Sequence, residues 1–478
     1  MRIKDIIRLI LLHKINGISC DSKAVKEGFV FVGIKGVKED GSKFIDEAIS
    51  QGAKFIVCDS RFKRRDLKNI SLVKVRDTRL AIARLASEFY GNPSKKVKAI
   101  GITGTNGKTT VTYLLEAILK ESGFRTAVIG TINYRFKNTI LPAKNTTPGP
   151  LQLQSLLSGM VKEKIDYAAI EVSSHALVQG RVLGIDFRSA IFTNLSSDHL
   201  DYHKTIRKYF LAKSKLFIGL SPKSFAVLNY DDKYSRLLKK LTKARIITYG
   251  LGAKSQVRAK NIKYGLKGTE FLLNLPQGVI KIKTVLIGKH NVYDILAASA
   301  WAYQEGIDLK VIKNAIERFS LVPGRLERIN CQKGFSVFVD YAHTEDALKN
   351  VLTSLRGLSP GKIITVFGCG GERDRLKRPK MGKVVTELSD FAIITNDNPR
   401  SEKPEAIIKD IKRGIRKDNY SVIPDRKAAI MDSLSMAGKG DIVVIVGKGH
   451  ENYQILGNNT AHFDDREEVK LCLKSLNY

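Results

Sequence analysis

The sequence predicts an α/β protein of three domains, and three observations carry that prediction. At 478 residues the chain exceeds what a single hydrophobic core usually supports. Short apolar runs alternate with helical segments, once between about 96 and 322 and again between 323 and 478, as in mostly parallel sheets covered by helices. In both stretches the polar, chemistry-bearing motifs come directly after the apolar runs, where open α/β sheets bind their ligands.

The opening residues, MRIKDIIRLILLHKING, resemble a signal peptide only superficially. Asp5, Arg8 and His13 interrupt the apolar stretch and no small-residue cleavage site follows, so an amphipathic helix is expected. The first domain, 1–95, contains a strand-like run at Phe29–Val32, a glycine-rich loop and a helix around Phe44–Ala48. The stretch Gly91–Lys96, GNPSKK, ends it. In the second domain, 96–322, strands are predicted at Val97–Ile100, Thr126–Gly130, Tyr167–Val172, Ser189–Thr193 and Phe225–Asn229. Tyr113, Leu114, Leu115, Ala117 and Ile118 recur at helical spacing. The third domain, 323–478, opens at Val322-Pro323-Gly324-Arg325, with strands at Phe335–Val339, Ile363–Phe367, Phe391–Thr395 and Asp441–Val446. Two sheets whose strand ends face each other would enclose a cleft.

The most informative segment is Gly101–Thr110, GITGTNGKTT, between an apolar strand and a helix. That order surrounds an anion with backbone N–H groups and a helix N-terminus. Lys108 is placed to reach the outer phosphates of a nucleotide, and the Thr109 hydroxyl to bind its Mg²⁺. The glycines fall at 101, 104 and 107, and Ile102 stands where the usual phosphate loop has its first glycine. ATP use is the expectation, with Gly104, Thr105, Asn106, Gly107, Lys108, Thr109 and Thr110 around the nucleotide.

Composition narrows the class. Hydrophobic residues make up 43% and charged residues 27%, as in ordinary globular domains, and no apolar run reaches the ~20 residues of a membrane span. Five cysteines are scattered without a CxxC pair, which argues against a zinc site or a disulfide framework and suits a reducing cytoplasm. The net charge of +34 would suit a nucleic-acid binder, but the lysines are spread along the whole chain and no nucleic-acid module is recognisable. Attraction of polyanionic substrates is the milder reading.

Two further segments carry chemistry. EVSSHAL, Glu171–Leu177, puts a carboxylate at a strand end, where it can hold Mg²⁺ or cap a helix. FTNLSSDHLDYH, Phe192–His203, follows the next strand and supplies Asp198, His199, Asp201 and His203. Six of the eight histidines, at 175, 199, 203, 290, 343 and 450, sit in such strand-end or loop motifs, a more selective distribution than structural roles require.

With these motifs in view the chain resembles the Mur ligases, which add amino acids to the peptide stem of bacterial cell-wall precursors. The resemblance is greatest to the members that add diaminopimelate, and it covers essentially the whole chain. It runs through CDS at 20–22, GVKEDG at 36–41, GITGTNGKTT, NTTP at 145–148, EVSSHALVQGR at 171–181, TNLSSDHLDYH, AK at 212–213, GKHN at 288–291, VPGRLE at 322–327, VDYAHT at 339–344, GCGGERD at 368–374, DNPR at 397–400 and GKGHE at 447–451. It implies a first domain for the uridine nucleotide, a central ATPase-like domain and a C-terminal Rossmann-like domain that takes the amino acid. It also implies the reaction: ATP phosphorylates the side-chain carboxylate of D-glutamate in UDP-MurNAc-L-Ala-D-Glu, and the amine of meso-2,6-diaminopimelate attacks the acyl phosphate.

Carried over residue by residue, Ser22 and Val37, Lys38, Glu39 and Asp40 would hold the uridine nucleotide. Thr146, Thr147, Ser173, Gln179 and Arg181 would hold the rest of the acceptor. Asn291, Arg325 and Asp340 would complete the ATP site, with Thr109 and Glu171 on one Mg²⁺ and His199 near a second. Lys213, on a predicted helix at Tyr209–Phe217, reads by itself as one of several solvated lysines. The resemblance implies an N6-carboxylated lysine there, an anionic metal ligand made from a cation. Lys108, Lys213 and His199 would thus be the catalytic residues. Arg373, Asp397, Asn398, Pro399, Arg400, Gly447 and Glu451 would bind diaminopimelate. The expected partners are these small molecules, with no nucleic acid, no membrane span and a monomeric chain.

The chain also departs from the family pattern. Lys23 stands where arginine is common, Asp294 where asparagine often follows the HN pair, and Glu345 where proline is usual after YAHT. The alternatives are a lysine-adding relative, a folylpolyglutamate synthetase-like ligase, and a basic ATP-dependent nucleic-acid protein.

Overall fold

The computed structural model describes residues 7, 10, 12–36, 39–63 and 70–477. Among the described residues three large sheets follow one another along the chain, with a two-stranded ribbon, Tyr453–Leu456 and Asn459–His462, after the third. The first has four parallel strands, Gly17–Ser19, Phe29–Val32, Ala53–Asp59 and Ser71–Val75, in chain order. Most of the expected N-terminal helix lies outside the described residues. Its Ile7 and Ile10 are buried with Val30, Val32, Phe55 and Val57.

The second sheet has eleven strands. Its parallel centre runs Arg245–Gly250, Phe225–Asn229, Phe187–Phe192, Lys98–Thr103, Tyr167–Glu171, Thr126–Ile129. The centre strands are buried on both faces because their apolar residues are uninterrupted. Val97 and Ala99 enter one core, Ile100 and Ile102 the other; Ala226 and Leu228 likewise oppose Phe225 and Val227. Antiparallel strands flank the centre, Asn133–Phe136 and Thr139–Pro142 on one side, Gly268–Leu275 and Gly278–Thr284 beyond Val257–Gly265 on the other. The helix Lys289–Gln304 is buried around most of its circumference. Its Trp301 indole N–H donates to the Ser189 hydroxyl at 2.8 Å, so the ring is buried without an orphaned donor.

The third sheet orders its six strands Glu327–Ile329, Ser336–Asp340, Ile442–Val446, Ile363–Phe367, Phe391–Ile394, Tyr420–Val422. All pairs are parallel except the first. Alternate residues of Ser336–Asp340 and Ile442–Val446 again feed two cores, one on each face. The strand ends of the second and third sheets line one shared cavity of about 1420 Å³.

Candidate active site

Strand Lys98–Thr103 hands over to helix Lys108–Glu121 through the glycine turn. Gly107 has φ +84°, and a Cβ there would lie 2.3 Å from Asp294 Oδ1. Both the left-handed backbone and the close approach require glycine. The loop is clamped from the neighbouring strand end: Asn106 N–H donates to Asn194 Oδ1 at 3.0 Å, and Asn194 Nδ2 donates to the Asn106 carbonyl at 3.2 Å. Lys108 folds back, donating to the carbonyls of Gly104 at 3.0 Å and Thr105 at 2.8 Å. Burial holds its ammonium below the ordinary lysine range, against the opposing pull of Glu171 and Asp198.

Glu171, buried at its strand end, accepts from the Thr109 hydroxyl at 3.1 Å, the Thr131 N–H at 3.0 Å and the Thr131 hydroxyl at 2.9 Å. Lys213 sits on the inner face of helix Ile206–Ile218, fully desolvated, and donates to the Gly104 carbonyl at 2.7 Å. Two lysines therefore converge on one carbonyl oxygen. Burial, then the Lys108 charge, drives Lys213 well below the ordinary lysine range. Its amine lies 4.5 Å from the Tyr209 ring centroid.

His199 has φ +53° at the start of the short helix Leu200–His203, with Nε2 3.2 Å from Asp198 Oδ2. Burial depresses it to about 4, so it is a neutral imidazole near pH 7. Its ring centroid is 4.9 Å from that of His175, and His203 Nε2 is 2.9 Å from the Ser174 hydroxyl. Of the other motif histidines, His343 and His450 flank Tyr341 at 4.7 and 4.9 Å, and His290, half-buried at a helix start, is depressed by burial to about 4.

The third domain reaches into the same cavity. Arg325 Nη2 donates to the Thr109 hydroxyl at 3.3 Å, while its guanidinium lies 4.3 Å from the Tyr341 ring centroid. Asn106 Nδ2 donates to Asp346 Oδ2 at 2.8 Å. Asp340 is buried with its carboxylate accepting from the N–H groups of Leu326 and Ala342, both at 2.7 Å, and thus fixes the turn that carries Arg325. Asn291 is buried, donating to the Ile287 carbonyl at 2.8 Å.

Three loops of the third domain form the far wall. Arg400, at φ +55°, donates through Nη1 to the carbonyls of Gly371 at 2.8 Å and Asn398 at 3.3 Å. Asn398 Nδ2 donates to Glu451 Oε2 at 2.9 Å. Burial and the neighbouring Asp397 raise Glu451, and the buried Lys448, 3.6 Å away, opposes them. A Cβ on Gly447 would meet Asp397 Oδ2 at 2.7 Å. Arg373, Asp397, Asn398, Arg400, Gly447 and Glu451 all line the cavity, whereas Pro399 stiffens the turn behind it.

On the acceptor side, Arg181 is held by Gln179 Oε1, at 3.0 Å from Nε and 2.7 Å from Nη2, and by the Thr147 carbonyl at 2.8 Å. Thr147 is buried, its hydroxyl donating to the Glu171 carbonyl at 2.8 Å and accepting from the Ser173 N–H at 3.0 Å. Thr146, Ser173 and Arg181 line the cavity. Ser22 lies outside its lining, buried and donating to Glu47 Oε2 at 2.6 Å, and Asp40 caps a turn by accepting from the Ser42 N–H at 3.0 Å. Glu39 is exposed, and Val37 and Lys38 lie outside the described residues.

Sequence reasoning missed the cations that shape the far wall. Arg378 is fully buried and bridges Glu402, Asp410 at 3.0 Å and the Gly370 carbonyl at 3.2 Å. Arg426 makes a buried bidentate pair with Asp465, both contacts 2.7 Å, and also donates to the carbonyls of Asn396 and Val446. It ties the DNPR and GKGHE strand ends together. The available signal was an arginine in the first turn of a helix, which does not name its partner.

Comparison with known proteins agrees with this architecture. Family models describe residues 14–90 as a Mur ligase family catalytic domain, 102–302 as a Mur ligase middle domain and 324–449 as a Mur ligase glutamate ligase domain. UDP-N-acetylmuramoyl-L-alanyl-D-glutamate–2,6-diaminopimelate ligase 1 of Clostridium acetobutylicum is 47% identical over 465 residues, covering 97% of this chain and 95% of its own. A solved structure of a UDP-N-acetylmuramoyl-L-alanyl-D-glutamate–2,6-diaminopimelate ligase is 34% identical, with a TM-score of 0.70 over 97% of this chain and 96% of that one. The MurF ligase of Thermotoga maritima, solved with ADP, shares the fold at 20% identity and a TM-score of 0.67, covering 96% of this chain and 97% of its own. Relatedness over nearly the full length, together with the phosphate loop facing the third domain across one cavity, establishes that the chain belongs to the Mur ligase family.

Proposed function

We propose that the protein is the ATP-dependent ligase that adds meso-2,6-diaminopimelate to the D-glutamate of UDP-MurNAc-L-Ala-D-Glu in peptidoglycan precursor synthesis. The observation that carries this reading is the single cavity bordered by the phosphate loop, by Arg181 and by the arginine-bearing loops of the third domain. In the first step a D-glutamate carboxylate oxygen attacks the γ-phosphorus of ATP, and the bond to ADP breaks. The diaminopimelate nitrogen then bonds to the acyl carbon, loses a proton, and phosphate leaves. The protein's contribution is positioning and charge neutralisation. Gly104–Thr110 cradle the phosphates, Lys108 turns from the loop carbonyls to the transferred group, and Arg325 closes over the nucleotide beside Asn291 and Asp340. Thr146, Thr147, Ser173, Gln179 and Arg181 hold the acceptor; Ser22 and Val37–Asp40 hold its uridine end.

The residues present fit Mg²⁺. Among the described residues no three His, Cys, Asp or Glu side chains converge as a metal cage, but Mg²⁺ uses one or two carboxylates and completes its shell with water and phosphate. The Thr109 hydroxyl and the Glu171 carboxylate, 3.1 Å apart, would hold one ion, and His199 stands near a second. When bound, Mg²⁺ neutralises the phosphates during transfer. Lys213 is poised for N6-carboxylation: its depressed amine is the form that bonds to CO₂, with release of a proton. The carbamate also removes the clash of two lysines on one carbonyl.

Diaminopimelate would place its distal carboxylate on Arg373 and Arg400, with Asp397, Asn398, Pro399 and Gly447 shaping the pocket and Glu451 on the ammonium. The three sheets support domain boundaries at 95/96 and 322/323. One chain supplies the whole site, which suits a monomer. The described cysteines are free and no helix of the described residues is long and apolar enough to cross a membrane, which suits a cytoplasmic enzyme. The test is ADP release with UDP-MurNAc-L-Ala-D-Glu and a panel of amino acids. Turnover should require meso-diaminopimelate; equal use of L-lysine would overturn the specificity, and no turnover with any amino acid the reaction.

A further inference from the structure

The catalytic reading leaves one surface unexplained. Residues 204–245 contain twelve lysines and arginines against two aspartates, and so carry ten of the chain's 34 net positive charges. Within them, helices Ile206–Ile218 and Ser235–Leu241 cover the same face of the central sheet, since Phe210, Leu216, Phe217 and Leu238 all enter one core. They are also fastened to each other, by the Phe210–Tyr234 stack at 5.1 Å and by the Thr242 hydroxyl donating to the Phe217 carbonyl at 2.9 Å. Their outer faces therefore point the same way. On the first, the exposed positions Arg207, Lys208, Leu211, Lys215 and Ile218 form one helical stripe. On the second they are Arg236, Leu237, Lys239, Lys240 and Leu241.

Two properties define this face. Among the described residues, none of Arg207, Lys208, Lys215, Arg236, Lys239 and Lys240 forms an ion pair, so the charge of both helices stands uncompensated. And four large aliphatic side chains stand among the cations: Leu211 is 48% exposed, Ile218 52%, Leu237 46% and Leu241 40%.

We propose that this two-helix face docks the protein onto an anionic phospholipid bilayer. Lysines whose aliphatic stems lie flat while their heads meet lipid phosphates, with leucine and isoleucine entering the acyl boundary, are the chemistry of an interfacial helix. Protein–protein interface cores are depleted of lysine, which disfavours a protein partner. Nucleic acid would reward the charge but not the aliphatic residues, and the stripe offers no aromatic ring for base stacking. Lys213 lies on the opposite, inner side of the same helix, so docking leaves the reaction cavity open.

The test is co-sedimentation of the full-length protein with vesicles of phosphatidylcholine alone or mixed with phosphatidylglycerol. Binding should require the anionic lipid and weaken as salt is added. Lys208→Glu/Lys215→Glu/Lys239→Glu/Lys240→Glu should lower the partition coefficient ~100-fold or more, and Leu211→Ser/Ile218→Ser by roughly tenfold. Lysine-to-arginine exchange at the same four positions should retain binding, as should Lys409→Glu/Lys412→Glu on helix Pro404–Lys412. Soluble ligation by every variant reports intact folding. Failure to bind anionic vesicles, equal binding to phosphatidylcholine alone, or binding that survives the four reversals would overturn the proposal. Retention of duplex DNA without vesicle binding would overturn it in favour of a nucleic-acid face.

Discussion

The two walls of the cavity handle charge in opposite ways. On the phosphate-loop wall, Lys108 and Lys213 both donate to the Gly104 carbonyl, and among the described residues neither forms an ion pair with a carboxylate. On the amino-acid wall the buried cations are paired: Arg378 with Glu402 and Asp410, Arg426 with Asp465, Lys448 with Glu451. A wall that must receive phosphate keeps its positive charge uncompensated, at a cost in desolvation that a nucleotide offsets. On the wall proposed to take the amino acid, paired charges fix loop geometry, while Arg373 and Arg400 line the cavity and form no ion pair among the described residues.

Lys108→Ala removes charge aimed at the transferred phosphate and should reduce ligation ~10³-fold or more while leaving the melting temperature within a few degrees. Near-normal turnover would show that the uncompensated wall does not serve phosphate. Lys213→Ala should be almost as damaging, and small carboxylic acids that occupy the vacated space should restore part of the rate. An unmodified Lys213 in active enzyme, seen by mass spectrometry under conditions that preserve carbamates, would contradict its proposed modification.

On the paired wall the prediction differs in kind. Arg378→Ala removes a fully buried guanidinium from the half-buried Glu402 and from Asp410, which keeps Arg375 and Arg413, and should cost about 3 kcal/mol of stability, read by denaturant melts. Arg400→Ala touches no buried pair, so it should lower kcat/KM for diaminopimelate by ~100-fold with stability and the KM for ATP little changed. If both variants moved only stability, or both only KM, the division between fixing and receiving groups would fail.

Asp294 is buried against Gly107, and burial raises its carboxyl well above the ordinary range despite the Thr110 hydroxyl and the charges of Arg325 and Lys108. The folded protein thus keeps a proton that the unfolded chain releases near pH ~4, and stability falls as pH rises above that value. Asp294→Asn removes this slope. Without nucleotide, the variant should match the wild type near pH ~3 and gain stability toward neutral pH in thermal melts. Parallel pH profiles would show that Asp294 titrates normally.

Much of this was legible in the chain. The strand runs Phe29–Val32, Phe225–Asn229 and Ile363–Phe367 occur as read, because an uninterrupted apolar stretch of strand length has one good solution, burial on both faces of a sheet. The phosphate loop was legible for a similar reason: its glycines, lysine and threonine act within one turn of backbone. The sheet's antiparallel flanks went unread. Gly268–Leu275 alternates buried and half-buried residues, but its pairing with Gly278–Thr284 depends on a partner strand and a turn.

Most of the buried parallel strands of the second and third sheets, the glycine turn after Lys98–Thr103 and the motifs at strand ends could be read from the chain, since these follow from interactions among residues a few positions apart. Only the tertiary structure decided what those motifs face. It brings Arg325 onto Thr109 from 216 positions away, Lys213 onto the Gly104 carbonyl from 109, and Arg426 onto Asp465 from 39. A buried charge is stable only beside its partner, and long-range packing, which no local pattern encodes, chooses that partner.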